Sequence, residues 1–216
     1  MEAVAIPPDA FNDIIAELQR RPLLSNKERK LAGVGQSQCF GLVNKRTQSC
    51  DYSRMCWGRP YLYKLLMEFG EKYCPFAYTS ITINQNYMVK PHRDKGNKGN
   101  SLLVAFGNFT GGLLRVSDGP LKGDIDVRTP LIANFSEMTH EVLPFEGERY
   151  SLVFYNIADK FYRDKEAPPP PSVVQVGKKY FFQRGDVIIK DGLPHPLKGK
   201  TQRVTKIEEP VTVSFD

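Results

Sequence analysis

Residues 79–116 read TSITINQNYMVKPHRDKGNKGNSLLVAFGNFTGGLLRV, and this stretch decides the fold class. Short runs rich in Ile, Val, Leu and Phe alternate with turns rich in Gly, Asn, Asp and Pro, which is typical of antiparallel strands. The same pattern continues to Asn156, so a mainly β core is predicted. The predicted strands are 79–89, 101–106, 113–116, 125–128, 131–135, 139–143 and 149–156. Strands of this number and spacing are typical of a jelly roll, or double-stranded β-helix.

Helices are predicted on the N-terminal side of this core. Residues 7–20 and 60–73 both have apolar side chains at helical spacing, and Asp9 is a suitable cap for the first helix. Residues 32–52 are rich in Gly, Gln and Ser, so we predict loops there, with one short strand near 39–43.

Three regions are predicted along the chain. Residues 1–163 form one domain, with a helical N-terminal part and a jelly-roll core at about 76–157. A run of prolines predicts an extended linker over 164–172. Residues 173–216 are rich in Lys and Arg, and we expect a basic β annex that packs on or near the core. The strands predicted in this annex are 179–182, 186–190 and 210–215.

The composition narrows the class of protein. The chain has 216 residues, 41% of them hydrophobic, which excludes a disordered protein. Its 30 Lys+Arg against 24 Asp+Glu give a formal net charge of +6. This charge fits an anionic partner such as nucleic acid or an anionic small molecule, but taken alone it is more typical of a basic soluble surface. No secretory h-region and no membrane-length apolar run occur, so we expect an intracellular protein with reduced thiols and no membrane partner.

Two of the three histidines fall within the predicted core, His92 in the sequence His92-Arg93-Asp94 and His140 at a later strand. An isolated His-x-Asp is more typical of a hydrogen-bonded loop than of a metal site. Two imidazoles and one carboxylate on one side of a metal, however, form the facial triad of non-haem Fe(II) oxygenases, which leaves positions open for a bidentate 2-oxo acid and O₂. The distal carboxylate of such an acid needs a cation, and Arg149 begins the last core strand.

Strand register supports one shared cavity. If residues 144–147 form a hairpin turn, His140 lies opposite Ser151, and Arg149 lies diagonally one step away on the same face. Leu152 and Phe154 then lie on the other face. This expectation depends on the register, because a slip of one residue would exchange the two faces.

The first core strand offers two amides to the same cavity. Asn84 and Asn86 share the alternation of His92 and Asp94, whereas Ile81, Ile83 and Tyr87 have the opposite alternation. We expect Asn84 to bind the co-substrate and Asn86 to bind the substrate. A satisfied amide at an edge or turn is an equally common use of Asn at such positions.

At these residues the chain resembles a known family. Residues 91–101 resemble the iron motif of the TET/JBP group of 2-oxoglutarate oxygenases, and 81–87 and 140–153 resemble TET/JBP-type domains of algae and protists. The resemblance extends over about 32–156. It implies an Fe(II)- and 2-oxoglutarate-dependent dioxygenase that uses O₂ to oxidise the 5-methyl group of a pyrimidine in DNA.

The resemblance also implies residue roles. His92, Asp94 and His140 bind iron, and Arg149, helped by Ser151, holds the carboxylate of 2-oxoglutarate. The substrate is 5-methylcytosine or thymine, and 2-oxoglutarate is decarboxylated to succinate.

DNA recognition follows from the same resemblance. Asn97 contacts the edge of the target base, which must be flipped out of the duplex to meet a buried iron. Arg93 flanks the iron motif and is expected to contact phosphate. The long cysteine-rich and zinc-bearing segments of animal TET proteins are absent. Binding of the DNA duplex would therefore depend on other residues, and the basic annex 173–216 is a candidate. These roles predict a nuclear location.

Two other classes of function stay open from the residues. The same oxygenase chemistry acts on protein side chains, as in prolyl and lysyl hydroxylases, or on RNA, because the metal set does not encode the substrate. A non-catalytic binding module with this fold is the second alternative. The residues do not indicate an oligomeric state.

Overall fold

The computed structural model describes residues 5–23, 33–45, 49–158, 171–184 and 187–189. The described helices are α1 Asn12–Arg20, preceded by a 3₁₀ turn at Pro8–Phe11, α2 Arg54–Gly58 and α3 Pro60–Tyr73. The described strands are β1 Gly33–Lys45, β2 Ser49–Tyr52, β3 Ser80–Val89, β4 Asn97–Gly111, β5 Leu114–Val116, β6 Gly123–Ile125, β7 Leu131–Ala133, β8 His140–Val142, β9 Phe145–Ile157, β10 Pro171–Val176, β11 Lys179–Arg184 and β12 Val187–Ile189.

The described strands form three antiparallel sheets. The major sheet has the strand order β2-β1-β3-β9-β4-β7, the minor sheet has the order β6-β5-β8, and β10-β11-β12 form the third sheet. Apolar side chains of β4 and β7 in the major sheet and of β5 in the minor sheet pack into one cluster, so these two sheets face each other. The chain is therefore mainly β with flanking helices, and the predicted jelly-roll core is confirmed.

The two faces of the major sheet contact different parts of the molecule. Along β9, Tyr150, Leu152 and Phe154 pack in a core with α1 and α3, because side chains alternate between the faces of a strand. The intervening residues face the minor sheet. The helices thus cover one face, and the other face is left for a cavity between the sheets.

Helix α3 has the predicted bounds, Pro60–Tyr73. Proline is favourable in the first turn of a helix, where its missing N–H would have no partner, and the apolar residues form one buried stripe. No helix in the described part of the chain has the length and apolar character that a membrane crossing requires.

The prediction of loops over most of 32–52 was wrong, whereas the strand predicted near 39–43 is part of β1. β1 has 13 residues and pairs with both β2 and β3. Its glycines serve close strand contacts rather than turns: Gly35 has φ +111 and a Cβ there would overlap the backbone of Asn86, and Gly41 has φ +77 with a Cβ that would overlap Thr79. Glycine is the residue that tolerates both demands.

The predicted hairpin between residues 140 and 151 was also wrong. β8 pairs with β5 in the minor sheet, with His140 opposite Val116, whereas Ser151 of β9 lies between Ala105 and Asn84 in the major sheet. The turn after Leu143 therefore carries the chain from one sheet to the other.

The smaller corrections concern strand ends. The strand predicted over 101–106 is longer at both ends, because β4 extends from Asn97 to Gly111. β6 is Gly123–Ile125 rather than 125–128, and β7 ends at Ala133.

The C-terminal hairpin packs on the main core. Phe182 of β11 is fully buried and contacts Tyr52, Trp57 and Tyr63 at ring-centroid distances of 5.3, 5.8 and 6.0 Å. β10 begins at Pro171, where proline is tolerated because it is the first residue of the strand. The domain boundaries stay predictions, and residues 210–215, His195 and most of the predicted linker lie outside the described residues.

Candidate metal centre and co-substrate cavity

A cavity of about 290 Å³ lies between the major and minor sheets. Its lining combines titratable, amide, hydroxyl and apolar side chains from both sheets. The residues are Ser37, Thr82, Asn84, Tyr87, Val89, His92, Asp94, Asn97, Leu103, Leu114, His140, Val142, Arg149, Ser151, Val153 and Tyr155.

His92, Asp94 and His140 meet in this cavity. One ligand atom from each of the three lies within 4.8 Å of the other two, and His92 Nε2 is 3.4 Å from Asp94 Oδ1. The backbones of the two histidines are joined by a reciprocal pair of hydrogen bonds of 3.0 and 2.9 Å. The predicted His-x-Asp and distant His are thus brought together by a backbone bridge between the segment after β3 and the start of β8.

Backbone carbonyls fix both imidazole rings. Nδ1 of His92 is 2.9 Å from the Lys90 carbonyl, and Nδ1 of His140 is 3.0 Å from the Met138 carbonyl. An Nδ1 that donates to a carbonyl leaves the lone pair of Nε2 free, which is the usual arrangement of a metal-binding histidine. The donor set fits a divalent metal of the Fe(II) type, with two neutral imidazoles and one carboxylate.

The electrostatics of the two rings differ. Burial lowers the pKa of His140, which favours the neutral ring that a metal needs. For His92 burial also acts to lower the pKa, but hydrogen bonds with Asp94 and the Lys90 carbonyl outweigh it, and the pKa is raised. His92 is therefore held by the carboxylate that would share the metal.

Arg149 is a buried cation with no counter-ion among the described residues. Its relative exposure is 2%, its Nε has no hydrogen-bond partner, and no carboxylate of the described residues lies within ion-pair distance. Burial lowers its pKa to about 10, and the more distant Asp126 partly opposes that shift. A buried guanidinium that is still charged at neutral pH has strong preference for a carboxylate ligand.

Two aromatic rings and a glycine shape the space around this guanidinium. The Cζ of Arg149 lies 5.4 Å from the ring centre of Phe109 and 5.7 Å from that of Phe145. Gly112 has φ +66, and a Cβ there would lie 2.9 Å from Nε of Arg149. The arginine is thus held between ring faces, and glycine leaves room beside it.

Ser151 and Asn84 lie on neighbouring strands next to Arg149. The Asn84 amide donates to Oγ of Ser151 at 3.1 Å, so the Ser151 hydroxyl can donate its own proton to a ligand. Arg149, Ser151 and His140 line the same cavity, and Leu152 and Phe154 lie on the opposite face, as predicted. This part of the prediction is confirmed although the hairpin on which it depended is absent.

Asn97 also lines the cavity, and its side-chain amide already has a partner. Nδ2 of Asn97 donates to Oδ2 of Asp94 at 3.3 Å, and the Asn97 backbone N–H donates to the Asp94 carbonyl at 2.8 Å. Asn97 thus contacts the carboxylate of the metal set, and its amide oxygen accepts no hydrogen bond from the described residues.

Asn86 and Arg93 lie outside the lining of the cavity. Asn86 has φ +49 at an irregularity in the pairing of β1 with β3, and its Oδ1 accepts a 2.8 Å hydrogen bond from the Arg149 backbone N–H. The extra residue shifts the alternation of β3, so Tyr87 and Val89 face the cavity instead. Arg93 forms an ion pair with Asp118 at 2.6 Å.

Several residues of the cavity were missed from sequence. Tyr155 continues the alternation Arg149, Ser151, Val153 and could have been found from it. Its hydroxyl is 3.2 Å from Sγ of Cys39 and 3.5 Å from Oγ1 of Thr82. Burial raises its pKa well above the ordinary value, so Tyr155 is a neutral hydrogen-bonding group.

The jelly roll thus brings a His-x-Asp…His set and a buried arginine into one cavity. Comparison with solved structures finds proteins of similar fold at low sequence identity. The structure of NgTET1 in complex with 5mC DNA matches with a TM-score of 0.53 and 14% identity, over 75% of this chain and 74% of that one.

Two further solved structures match less closely. A prolyl-4-hydroxylase of Pseudomonas putida has a TM-score of 0.45 and 19% identity over 71% of this chain and 89% of that one. A prolyl hydroxylase of Trichoplax adhaerens, in complex with a hypoxia inducible factor peptide fragment, has a TM-score of 0.45 and 14% identity over 74% and 82%. No family model and no curated protein sequence matches the chain.

Proposed function

We propose that this protein is an Fe(II)- and 2-oxoglutarate-dependent dioxygenase that oxidises the 5-methyl group of a pyrimidine, 5-methylcytosine or thymine, in DNA. The observation that carries the proposal is that one cavity holds both the His92, Asp94 and His140 donors and the buried, uncompensated Arg149. A metal triad and a carboxylate-binding cation in the same cavity match the two ends of a chelating 2-oxo acid.

His92, Asp94 and His140 would hold the iron. Bound Fe(II) supplies open coordination positions at which 2-oxoglutarate and O₂ react to give succinate, CO₂ and an oxidised substrate. The Nδ1 hydrogen bonds to the Lys90 and Met138 carbonyls keep both Nε2 atoms directed into the cavity.

Arg149 and Ser151 would bind the distal carboxylate of 2-oxoglutarate. The guanidinium provides a planar fork that matches a carboxylate, and the Ser151 hydroxyl adds a third donor. The contacts with Phe109 and Phe145 hold the fork before the ligand arrives. Asn84 supports this end of the cavity by its hydrogen bond to Ser151.

Three features support a nucleobase as the substrate. A cavity of about 290 Å³ admits one flipped base but no duplex, and it offers the Asn97 amide oxygen and the Tyr87 ring to that base. The exposed Lys90 and Lys95 flank the metal segment and could contact phosphate. One solved structure of similar fold, that of NgTET1, is in complex with 5mC DNA.

The test is incubation of the iron-loaded protein with 2-oxoglutarate and oligonucleotides that contain 5-methylcytosine or thymine, followed by mass spectrometry of the nucleosides and measurement of succinate. We expect oxidised pyrimidine from one of them, and none from Asp94→Asn, whereas the surface variant Asp124→Asn should retain activity. RNA and prolyl or lysyl peptides form parallel arms. Oxidation of only RNA or peptide would overturn the DNA substrate, and wild-type protein without succinate release would overturn the enzyme and favour a binding module.

A second measurement tests the co-substrate end of the cavity. Arg149→Ala should raise the KM for 2-oxoglutarate about 10- to 100-fold, because a charge-assisted hydrogen-bonded pair contributes roughly 1.5–3 kcal/mol. Arg128→Ala is the matched control, since Arg128 also lies over Phe109, at 5.7 Å, but is exposed and paired with Asp126. An unchanged KM in Arg149→Ala would mean that another group holds the carboxylate.

A further inference from the structure

A compact network of charged and hydroxyl groups lies beside the metal set, outside the cavity. Asp118 follows β5 and accepts three hydrogen bonds: Oδ2 accepts from Arg93 Nη2 at 2.6 Å and from Thr139 Oγ1 at 2.9 Å, and Oδ1 accepts from the Thr139 backbone N–H at 2.7 Å. In addition, Arg93 Nε donates to Thr139 Oγ1 at 3.0 Å. We call Arg93, Asp118 and Thr139 the Asp118 clamp.

The clamp joins the two chain segments that carry the metal ligands. Arg93 is the middle residue of His92-Arg93-Asp94, and Thr139 directly precedes His140. The backbones of these segments are joined by the bridge between His92 and His140, and the Asp94 N–H also donates to the Phe135 carbonyl at 3.0 Å. The Ser117 N–H donates to the Thr139 carbonyl at 2.8 Å and so ties the Asp118 segment to the second of them. Asp118 thus adds a side-chain link to the backbone hydrogen bonds that set the spacing of the two segments.

The hydrogen bonds of the clamp keep Asp118 charged. The Thr139 backbone N–H, followed by the Arg93 guanidinium and the Thr139 hydroxyl, lowers the pKa of Asp118 to about 2, so the carboxylate is ionised at neutral pH. An ordinary exposed ion pair contributes little, but here one carboxylate is held by three donors from two segments. The Arg93 guanidinium donates hydrogen bonds to both Asp118 and Thr139, so its partners lie within the protein.

We propose that Asp118 is a positioning residue for the metal centre: it holds Arg93 and Thr139 together and so sets the separation of His92 and Asp94 from His140. The inference rests on the proposed function, because it assigns a role toward the metal of that site. It also gives Arg93 a structural partner in place of a nucleic-acid phosphate.

The test measures binding of Co(II) alone, without 2-oxoglutarate or O₂, by titration calorimetry and by the visible absorption of the bound ion. Asp118→Ala should weaken Co(II) binding about tenfold, in the range found when groups that orient metal ligands are removed. Asp118→Asn should give a smaller loss, because its amide oxygen still accepts from Thr139. Asp124→Asn is the matched control, since Asp124 forms a similar exposed pair with Arg115 at 2.8 Å on the neighbouring strand.

Loss of Co(II) affinity in Asp118→Ala and Arg93→Ala, with unchanged absorption and affinity in Asp124→Asn, would support the clamp. Equal affinity of Asp118→Ala and wild type would overturn it, as would a weaker salt dependence of DNA binding in Arg93→Ala with unchanged affinity for Co(II). If wild-type protein binds no Co(II), the proposed function fails, and amide hydrogen exchange then tests whether the clamp holds the two segments together. The His92 and His140 amides should then exchange faster in Asp118→Ala than in Asp124→Asn, and equal rates would overturn it.

Discussion

Arg149 illustrates how one buried side chain limits what a cavity can bind. Its guanidinium is charged at neutral pH and has 2% relative exposure, and within the described part of the chain it faces Phe109 and Phe145 rather than a carboxylate. An isolated buried charge is costly, so a fold that keeps one leaves a strong site for an anion. The position of Arg149 in the cavity was predictable from strand alternation, because alternation depends on local sequence.

Asn86 shows the limit of the same reasoning. Strict alternation along β3 placed Asn86 beside Asn84, but the backbone at Asn86 adopts φ +49 and moves the following residues to the other face. Asn is among the few residues that tolerate this conformation, so the residue type was compatible with a bulge. Nothing in the sequence of β3 alone indicated that a bulge was needed, because it forms against Gly35 of the distant β1.

Gly112 provides a test of the space beside Arg149. In Gly112→Ala, the added Cβ would lie 2.9 Å from Nε and 3.0 Å from Cδ of Arg149, so the guanidinium must shift. We expect the KM for 2-oxoglutarate to rise about tenfold, since a misplaced fork loses one of its charge-assisted hydrogen bonds. Steady-state kinetics with varied 2-oxoglutarate measures this.

The control separates the steric effect from backbone strain. Gly177 has φ +60, close to the +66 of Gly112, but a Cβ at Gly177 meets nothing within 4 Å. Gly177→Ala should therefore cost similar backbone strain, roughly 1 kcal/mol, with no change in KM. Equal effects of the two variants on KM would contradict the proposed contact.

The existence of the strands was more predictable from the sequence than the pairing between them. Turn signals and apolar runs predicted the existence of β3 to β9, whereas the pairing of β8 with β5 rather than β9 depends on contacts between segments far apart in sequence. The long strand β1 was missed for a related reason. Glycine is needed in β1 because its backbone comes very close to that of β3 and the residue before it. A local sequence pattern does not reveal such contacts and instead indicates a turn at glycine.

Helix α3 gives a test of the packing between the helices and the major sheet. Gly70 lies inside this helix, where alanine would ordinarily stabilise by about 0.5–1 kcal/mol. Here a Cβ would overlap the Tyr78 hydroxyl and lie 2.6 Å from Cε1 of Phe154, which is fully buried. Gly70→Ala should lower the free energy of unfolding by about 1–3 kcal/mol, as measured by urea denaturation.

Gly58 at the end of α2 serves as the matched helix position. A Cβ there meets nothing within 4 Å, so Gly58→Ala should be neutral or stabilise by up to about 1 kcal/mol. Stabilisation by Gly70→Ala would show that the sheet leaves more room for α3 than the close contact implies.

The molecule as a whole is organised around the two faces of the major sheet. One face carries the helices and a large aromatic core, and the other face carries the cavity with its charged groups. This division follows from strand alternation, since Leu152 packs under α3 while Ser151 next to it lines the cavity. The C-terminal hairpin belongs to the helical side, where Phe182 is part of the same core.

Substitution of Phe182 tests whether the C-terminal hairpin and the core unfold together. Phe182 is fully buried against Tyr52, Trp57 and Tyr63, so Phe182→Ala should lower the free energy of unfolding by about 3–5 kcal/mol. Phe181→Ala, at the half-buried neighbouring position, should cost clearly less.

Two probes follow the same urea titration. Fluorescence of Trp57, the single tryptophan, reports the contact with Phe182, and far-ultraviolet circular dichroism reports the sheets. If the hairpin is integral to the core, the two transitions coincide in wild type and shift together to lower urea in Phe182→Ala. A fluorescence transition that moves alone, with the dichroism midpoint unchanged, would mean that the hairpin is a separate unit docked on a core that is stable without it.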